Sequence, residues 1–148
     1  MLRGSCLCGT VQYEVEGEPR WMYQCHCAKC RAGTGASFAT NIIVDADKFR
    51  IVAGKDTLRE FESSPKKFRY FCSGCGSPIY SHGETTKRVV SVRCGTLQQD
   101  PGVRLAYHAF VAFKAPWVEI ADGLPQFDDL PDPATVKRLM DSSQESKR

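Results

Sequence analysis

Eight cysteines at short, irregular spacings constrain this chain more than any other feature. They fall in groups of two, three, two and one. Cys6 and Cys8 lie in "SCLCG", Cys25, Cys27 and Cys30 in "CHCAKC", Cys72 and Cys75 in "FCSGCGSP", and Cys94 stands alone in "VSVRCGTLQ". The compartment decides how to read them. The N-terminal "MLRGSCLCGT" lacks the apolar run of a secretory signal, and no stretch approaches the roughly 18 consecutive apolar residues of a membrane span. A reducing, cytoplasmic location is therefore expected, with no membrane partner. In that setting clustered thiols serve as metal ligands or reactive groups rather than disulfide staples. At 148 residues the chain is long enough to bury a core without such staples. Its net charge of +3 is too small to argue for nucleic acid.

The hydrophobic pattern is that of short strands. "TVQYEVEG" alternates Val11, Tyr13 and Val15 with polar residues and ends at a glycine, the signature of a half-buried strand. "NIIVDADKFRIVAG", "TLREFESS", "KFRYFC", "RVVSVRCG" and "YHAFVAFKAPWVEIAD" are of the same kind, rich in Val, Phe and Tyr. No helical pattern longer than two turns precedes "DPATVKRLMDSS", where Asp132 is placed to cap and Pro133 to open a short terminal helix. The final "SSQESKR" is expected to fray. The fold class is mainly β, a sandwich or open barrel with metal sites at its loop ends. The division expected is a zinc-binding domain over residues 1–131, then a short helix and flexible tail over 132–148.

The thiols can be partitioned by chemistry. "CSGCGSP" is a C-x-x-C followed by glycine, the pattern of a zinc knuckle, and it needs two more ligands. Cys6 and Cys8, two apart in an extended segment, put both side chains on one face, and the flanking Gly4 and Gly9 permit the curl that brings both sulfurs to one ion. Cys6, Cys8, Cys72 and Cys75 thus close a four-cysteine site. Cys25, Cys27 and Cys30 remain as a three-ligand set, and three protein ligands with an exchangeable fourth position mark a reactive rather than a structural zinc. His26, His82, His108 and Cys94 are the alternative fourth ligands. His26 is the weakest of them, because it points opposite to its two neighbours in an extended segment.

Zinc with three thiolates carries a formal −1 charge and is a poor acid for bound water, so hydrolysis is disfavoured. An arriving thiol would still lose its proton on coordination and stay nucleophilic. Such a centre suits sulfur chemistry, and Lys29 and Arg31 are placed to offset its negative charge and to bind an anionic substrate or cofactor. A nucleobase deaminase would need H-x-E or C-x-E and P-C-x-x-C, whereas here Cys27 follows Cys25 by two and Phe71 precedes Cys72. No H-E-x-x-H occurs, which removes the zincin proteases.

"GSCLCGTVQYEV", "CHCAKCRAGTGA", "FCSGCGSPIY", "GTL" and "HAFVAFKAPWVEIADGLPQFDDLP", in that order, resemble the glutathione-dependent formaldehyde-activating enzyme (GFA) family, also called the CENP-V/GFA domain family, over roughly residues 3–131. The resemblance implies a zinc-binding β-tent, similar to the fold of a guanine-nucleotide-exchange chaperone family. It also implies two zincs per chain, a structural one on Cys6, Cys8, Cys72 and Cys75 and a catalytic one on Cys25, Cys27 and Cys30. The implied activity is that of a carbon–sulfur lyase acting on a glutathione (or similar thiol)–aldehyde adduct such as S-(hydroxymethyl)glutathione, with glutathione as the small-molecule partner. The second function class is a non-catalytic zinc module for a protein or nucleic-acid partner, from which an exchangeable coordination position distinguishes the enzyme.

The remaining features have plainer readings. "SPKKFRYF" sets Lys66, Lys67 and Arg69 beside Phe68, Tyr70 and Phe71, as when core aromatics alternate with solvated charges on one strand. Trp117 and Phe127 are expected to pack the C-terminal segment onto the sheet. Cys94 is expected to be a buried thiol, and His108 a strand residue with satisfied hydrogen bonds.

Overall fold

The computed structural model describes residues 1–145, and side chains through residue 142. The chain runs through β1 (Leu2–Ser5), β2 (Gln12–Val15), β3 (Trp21–Cys25), α1 (Ala28–Thr34), β4 (Ala39–Asp45) and β5 (Phe49–Ala53). There follow β6 (Leu58–Ser64), β7 (Lys67–Cys72), β8 (Pro78–Gly83), β9 (Val89–Arg93), β10 (Leu105–Ala109) and α2 (Pro133–Glu145). The mainly β class with a short C-terminal helix is the one read from the sequence. Two compact units divide the chain: Met1–Arg20 with Thr40–Val103, and Trp21–Ala39 with everything from Arg104 onward.

In the first unit, β1, β2 and β5 form an antiparallel sheet in that order, and β4-β9-β8-β7-β6 form a second antiparallel run. The alternation in β2 does what it predicts: Val11, Tyr13 and Val15 are all buried. Tyr13 satisfies its hydroxyl on Thr96 Oγ1 at 2.7 Å, and its ring packs on Phe49 at 5.4 Å. Tyr70 stacks on Tyr80 with centroids 4.3 Å apart, a cross-strand pair of β7 and β8. The aromatics of "KKFRYF" therefore belong to sheet packing, while Lys67 is exposed.

In the second unit, β3 and β10 pair in parallel, Gln24 opposite His108 and Cys25 opposite Ala109. Tyr107, Ala109 and Val136 are the buried centre on which Trp21, Phe127, Leu139 and Met140 pack. Asp132 caps α2 as expected, its Oδ1 accepting the Thr135 N–H at 2.7 Å. The helix continues through Glu145, so the first residues of the expected frayed tail are helical, and residues 146–148 lie outside the described residues.

Two expectations need correction here. Of "YHAFVAFKAPWVEIAD" only Tyr107, His108 and Ala109 lie in a strand, the end of β10 (Leu105–Ala109). Phe110 adopts a left-handed conformation (φ 56°) that turns the chain out of the ladder, and a short 3-10 turn, Val111–Phe113, follows. Trp117 does not pack onto a sheet: it is 72% exposed, with its indole N–H donating to Ser37 Oγ at 2.9 Å. Phe127 does pack, edge-on to Tyr107 at 5.7 Å.

Candidate metal centres

The knuckle is built by the turn after β7. Gly76, at φ 80°, donates its N–H to Cys72 O at 2.7 Å, which folds Cys72 and Cys75 toward each other. The partner pair sits on a turn rather than in the extended segment expected from the sequence. Gly9 N–H reaches Cys6 O at 3.1 Å, with Gly9 at φ 81°. The four sulfurs of Cys6, Cys8, Cys72 and Cys75 all lie within 4.8 Å of one another. Cys6 and Cys8 are 3.5 Å apart, Cys8 and Cys72 3.8 Å. All four are free thiols.

Their surroundings favour thiolates unevenly. Hydrogen bonds from Ser77, the hydroxyl first, hold the Cys75 thiol down to about 5, and those from Thr10 draw Cys8 below its ordinary value. Burial pushes Cys72 up to about 11. Val11 N–H donates to Cys6 Sγ at 3.2 Å. Four converging sulfurs, two of them biased toward the anion, form a donor set that fits a tetrahedral soft ion such as zinc.

The second group assembles where β3 runs into α1. Cys25 ends the strand, and Cys27 is the N-cap of the helix, its Sγ accepting the Cys30 N–H at 3.3 Å. Cys30 is the buried residue of α1. The three sulfurs lie within 4.8 Å of one another, with Cys25 and Cys27 3.4 Å apart. The neighbouring thiols of Cys27 and then Cys30 drive the Cys25 pKa far upward, because sulfurs this close cannot all be anions without a cation between them. That crowding is what a bound metal relieves, and the donor set again fits. Phe110 packs against this cluster together with Tyr23.

Among the described residues no histidine, aspartate, glutamate or further cysteine joins either group. His82 Nε2 is engaged 3.1 Å from Lys87 O, and Cys94 stands apart with its thiol pushed up to about 11 by burial. Lys29 is exposed on α1, and Arg31 is half-buried with its guanidinium donating to Phe113 O at 3.3 Å.

Sequence reasoning missed what stands behind the second group. His26, between two of the cysteines, is fully buried, and its Nε2 lies 2.9 Å from His108 Nδ1. His108 is itself buried and reaches Asp122 Oδ2 through Nε2 at 2.7 Å. The hydrogen bond from His108 holds the Asp122 carboxyl below its usual range. The only signal available in the sequence was a histidine in "CHC" and another in the aromatic segment, too far apart to suggest contact.

The sequence profile described as glutathione-dependent formaldehyde-activating enzyme matches residues 1–112. A Halomonas elongata protein provisionally named for that activity is 30% identical over 129 residues, covering 81% of each chain. A similarly named protein of Fusarium vanettenii is 29% identical over 83 residues, which span 56% of this chain and 45% of that longer one. A crystal structure of a Rhodobacter sphaeroides protein shares the fold, with a TM-score of 0.56 at 20% identity over 84% of this chain and 98% of that one.

Proposed function

Because the chain belongs to the glutathione-dependent formaldehyde-activating enzyme family, we propose that it is a zinc-dependent carbon–sulfur lyase. Its substrate is an adduct of glutathione, or a similar thiol, with an aldehyde. The observation that carries this reading is the group of Cys25, Cys27 and Cys30, which gathers three sulfurs and, among the described residues, no fourth donor side chain. Structural zinc takes four protein ligands, whereas reactive zinc takes three and leaves a place for substrate. Zinc held there would supply the positive charge that deprotonates an arriving thiol and keeps it as a thiolate.

The chain's own residues do the rest. Cys27 is the member of the set that solvent reaches, since Cys25 and Cys30 are buried. Lys29 and Arg31, flanking Cys30 on α1, offset the negative charge of three thiolates and an anionic substrate. Arg31 is held in place through Phe113 O, so its charge is fixed beside the helix. In the forward direction the thiol sulfur bonds to the aldehyde carbon, and the proton the thiol gives up is matched by one taken up on the new hydroxyl. Cleavage reverses the same bond. Holding the two reactants together is the main contribution open to the protein.

Cobalt substitution tests the reading. Millimolar glutathione should intensify the sulfur-to-cobalt charge-transfer band of the reduced protein, and Cys25→Ser should abolish most of that response. Arg31→Ala should weaken glutathione binding severalfold, and lower pH should weaken it further, because the bound thiol must lose its proton. A spectrum indifferent to glutathione and to its hydroxymethyl adduct would overturn the proposal in favour of a zinc module without catalysis.

A further inference from the structure

His26 has a place in the second sulfur group's sequence but not in its donor set. Its backbone N–H donates to Ala109 O at 3.0 Å, and its ring lies against Phe38 at 5.2 Å. With Asp122 ionised and both imidazoles neutral, the polar chain runs one way. His108 Nε2–H donates to the carboxylate, His108 Nδ1 accepts from His26 Nε2–H, and His26 Nδ1 remains a buried acceptor with no partner. The other two members are held by hydrogen bonds of their own. His108 N–H donates to Pro125 O and its carbonyl accepts from Phe127 N–H, both at 2.9 Å, while Asp122 Oδ1 accepts Leu124 N–H at 3.0 Å.

Two buried imidazoles in line with an exposed carboxylate are a poor choice for stability alone, since apolar residues of the same volume in place of the two rings would serve as well. What a polar chain adds is a single orientation. Along an extended segment successive side chains face opposite ways, and Cys27 keeps extended backbone angles (φ −68°, ψ 155°) after the strand that ends at Cys25. A clamp on His26 from behind therefore keeps the two flanking sulfurs together in front, where they stand 3.4 Å apart.

We propose that Asp122, His108 and His26 form a positioning chain for the three-cysteine group, holding Cys25 and Cys27 ready to bind one metal ion together. The inference rests on the metal-binding part of the function proposed above and not on the identity of the thiol. None of the three residues touches substrate.

Cobalt titration of the full chain tests it, with the three-cysteine band defined as the one lost in Cys25→Ser. His108→Ala and Asp122→Ala should weaken cobalt binding at that group about tenfold or more and shift its band, while the four-cysteine group binds as before. Asp122→Asn, whose amide oxygen still accepts from His108, should recover affinity to within about threefold of the unmodified protein, a distinction that a merely structural role does not make. If His108→Ala does not fold by circular dichroism, the two Asp122 variants decide. Unchanged affinity and band in the variants overturns this inference alone, as does equal weakening at both groups. An unmodified protein with no three-cysteine band overturns it together with the metal-binding reading.

Discussion

Cys94 shows how a single residue's surroundings separate it from seven others of its kind. It follows β9, lies outside both sulfur groups and is only partly exposed. Burial pushes its thiol up to about 11, with Arg93 pulling the other way. The thiolate, the reactive form, is present only above the pKa, so at pH 8 roughly one molecule in a thousand carries it. A thiol reagent applied to the reduced, metal-loaded protein at pH 8 should therefore leave Cys94 unlabelled, and Cys94→Ser should not change the labelling time course. A fast phase that disappears in Cys94→Ser would show an activated thiol. Gly4 teaches a related lesson. Its sequence position suggested a curl beside Cys6, but a Cβ there would fall within the ring of Tyr13, so the glycine makes room for a buried aromatic.

At the scale of elements, the terminal helix follows from its own residues. Asp132 caps it and Val136 anchors it in the buried cluster with Tyr107 and Ala109. Asp132→Ala should destabilise the helix start, read as faster amide exchange in the first turn of α2 and a lower melting temperature. An unchanged melt would mean the cap contributes nothing. This helix and β2 were legible because their signals are local, a cap residue before a proline and strict alternation. The grouping of seven cysteines into four and three was legible although Cys6 and Cys8 lie far from Cys72 and Cys75, because metal-ligand spacing leaves few partitions. The pairing of β3 with β10 was not, because its partners lie some eighty residues apart and nothing local announces a parallel register. The end of β10 was hidden as well. Phe110 reads as one more apolar strand residue until its left-handed backbone is seen. The contact of His26 with His108, and of His108 with Asp122, depends on that same pairing and on the chain's return at Pro125–Phe127, so it could not be read from spacing.

For the molecule as a whole, the two sulfur groups fall in different compact units. Cys6, Cys8, Cys72 and Cys75 belong to the one built from Met1–Arg20 and Thr40–Val103, and Cys25, Cys27 and Cys30 to the other. Within its unit the four-cysteine group joins the turn after β1 to the turn after β7, residues some seventy positions apart. Structural zinc contributes an apparent 10 kcal/mol or more in small domains, about as much as the whole stability of a typical domain. Cys72→Ser should accordingly unfold or aggregate the protein, because the remaining three ligands hold the metal less tightly and the tie between distant turns goes with it. Cys27→Ser should leave a folded protein that carries one zinc instead of two, since Cys25, Cys27 and Cys30 all lie within ten residues of one another and close no long loop. A chelator should draw the two ions in that order, the three-cysteine site first, because it has one fewer protein ligand and its Cys27 is reached by solvent. Elemental analysis of the freshly reduced protein should find two zincs per chain, and circular dichroism with thermal melts of the two variants should rank the damage. One zinc or none in the unmodified protein, or a Cys27→Ser protein that melts earlier than Cys72→Ser, would reverse the assignment of which group holds the fold and which does the chemistry.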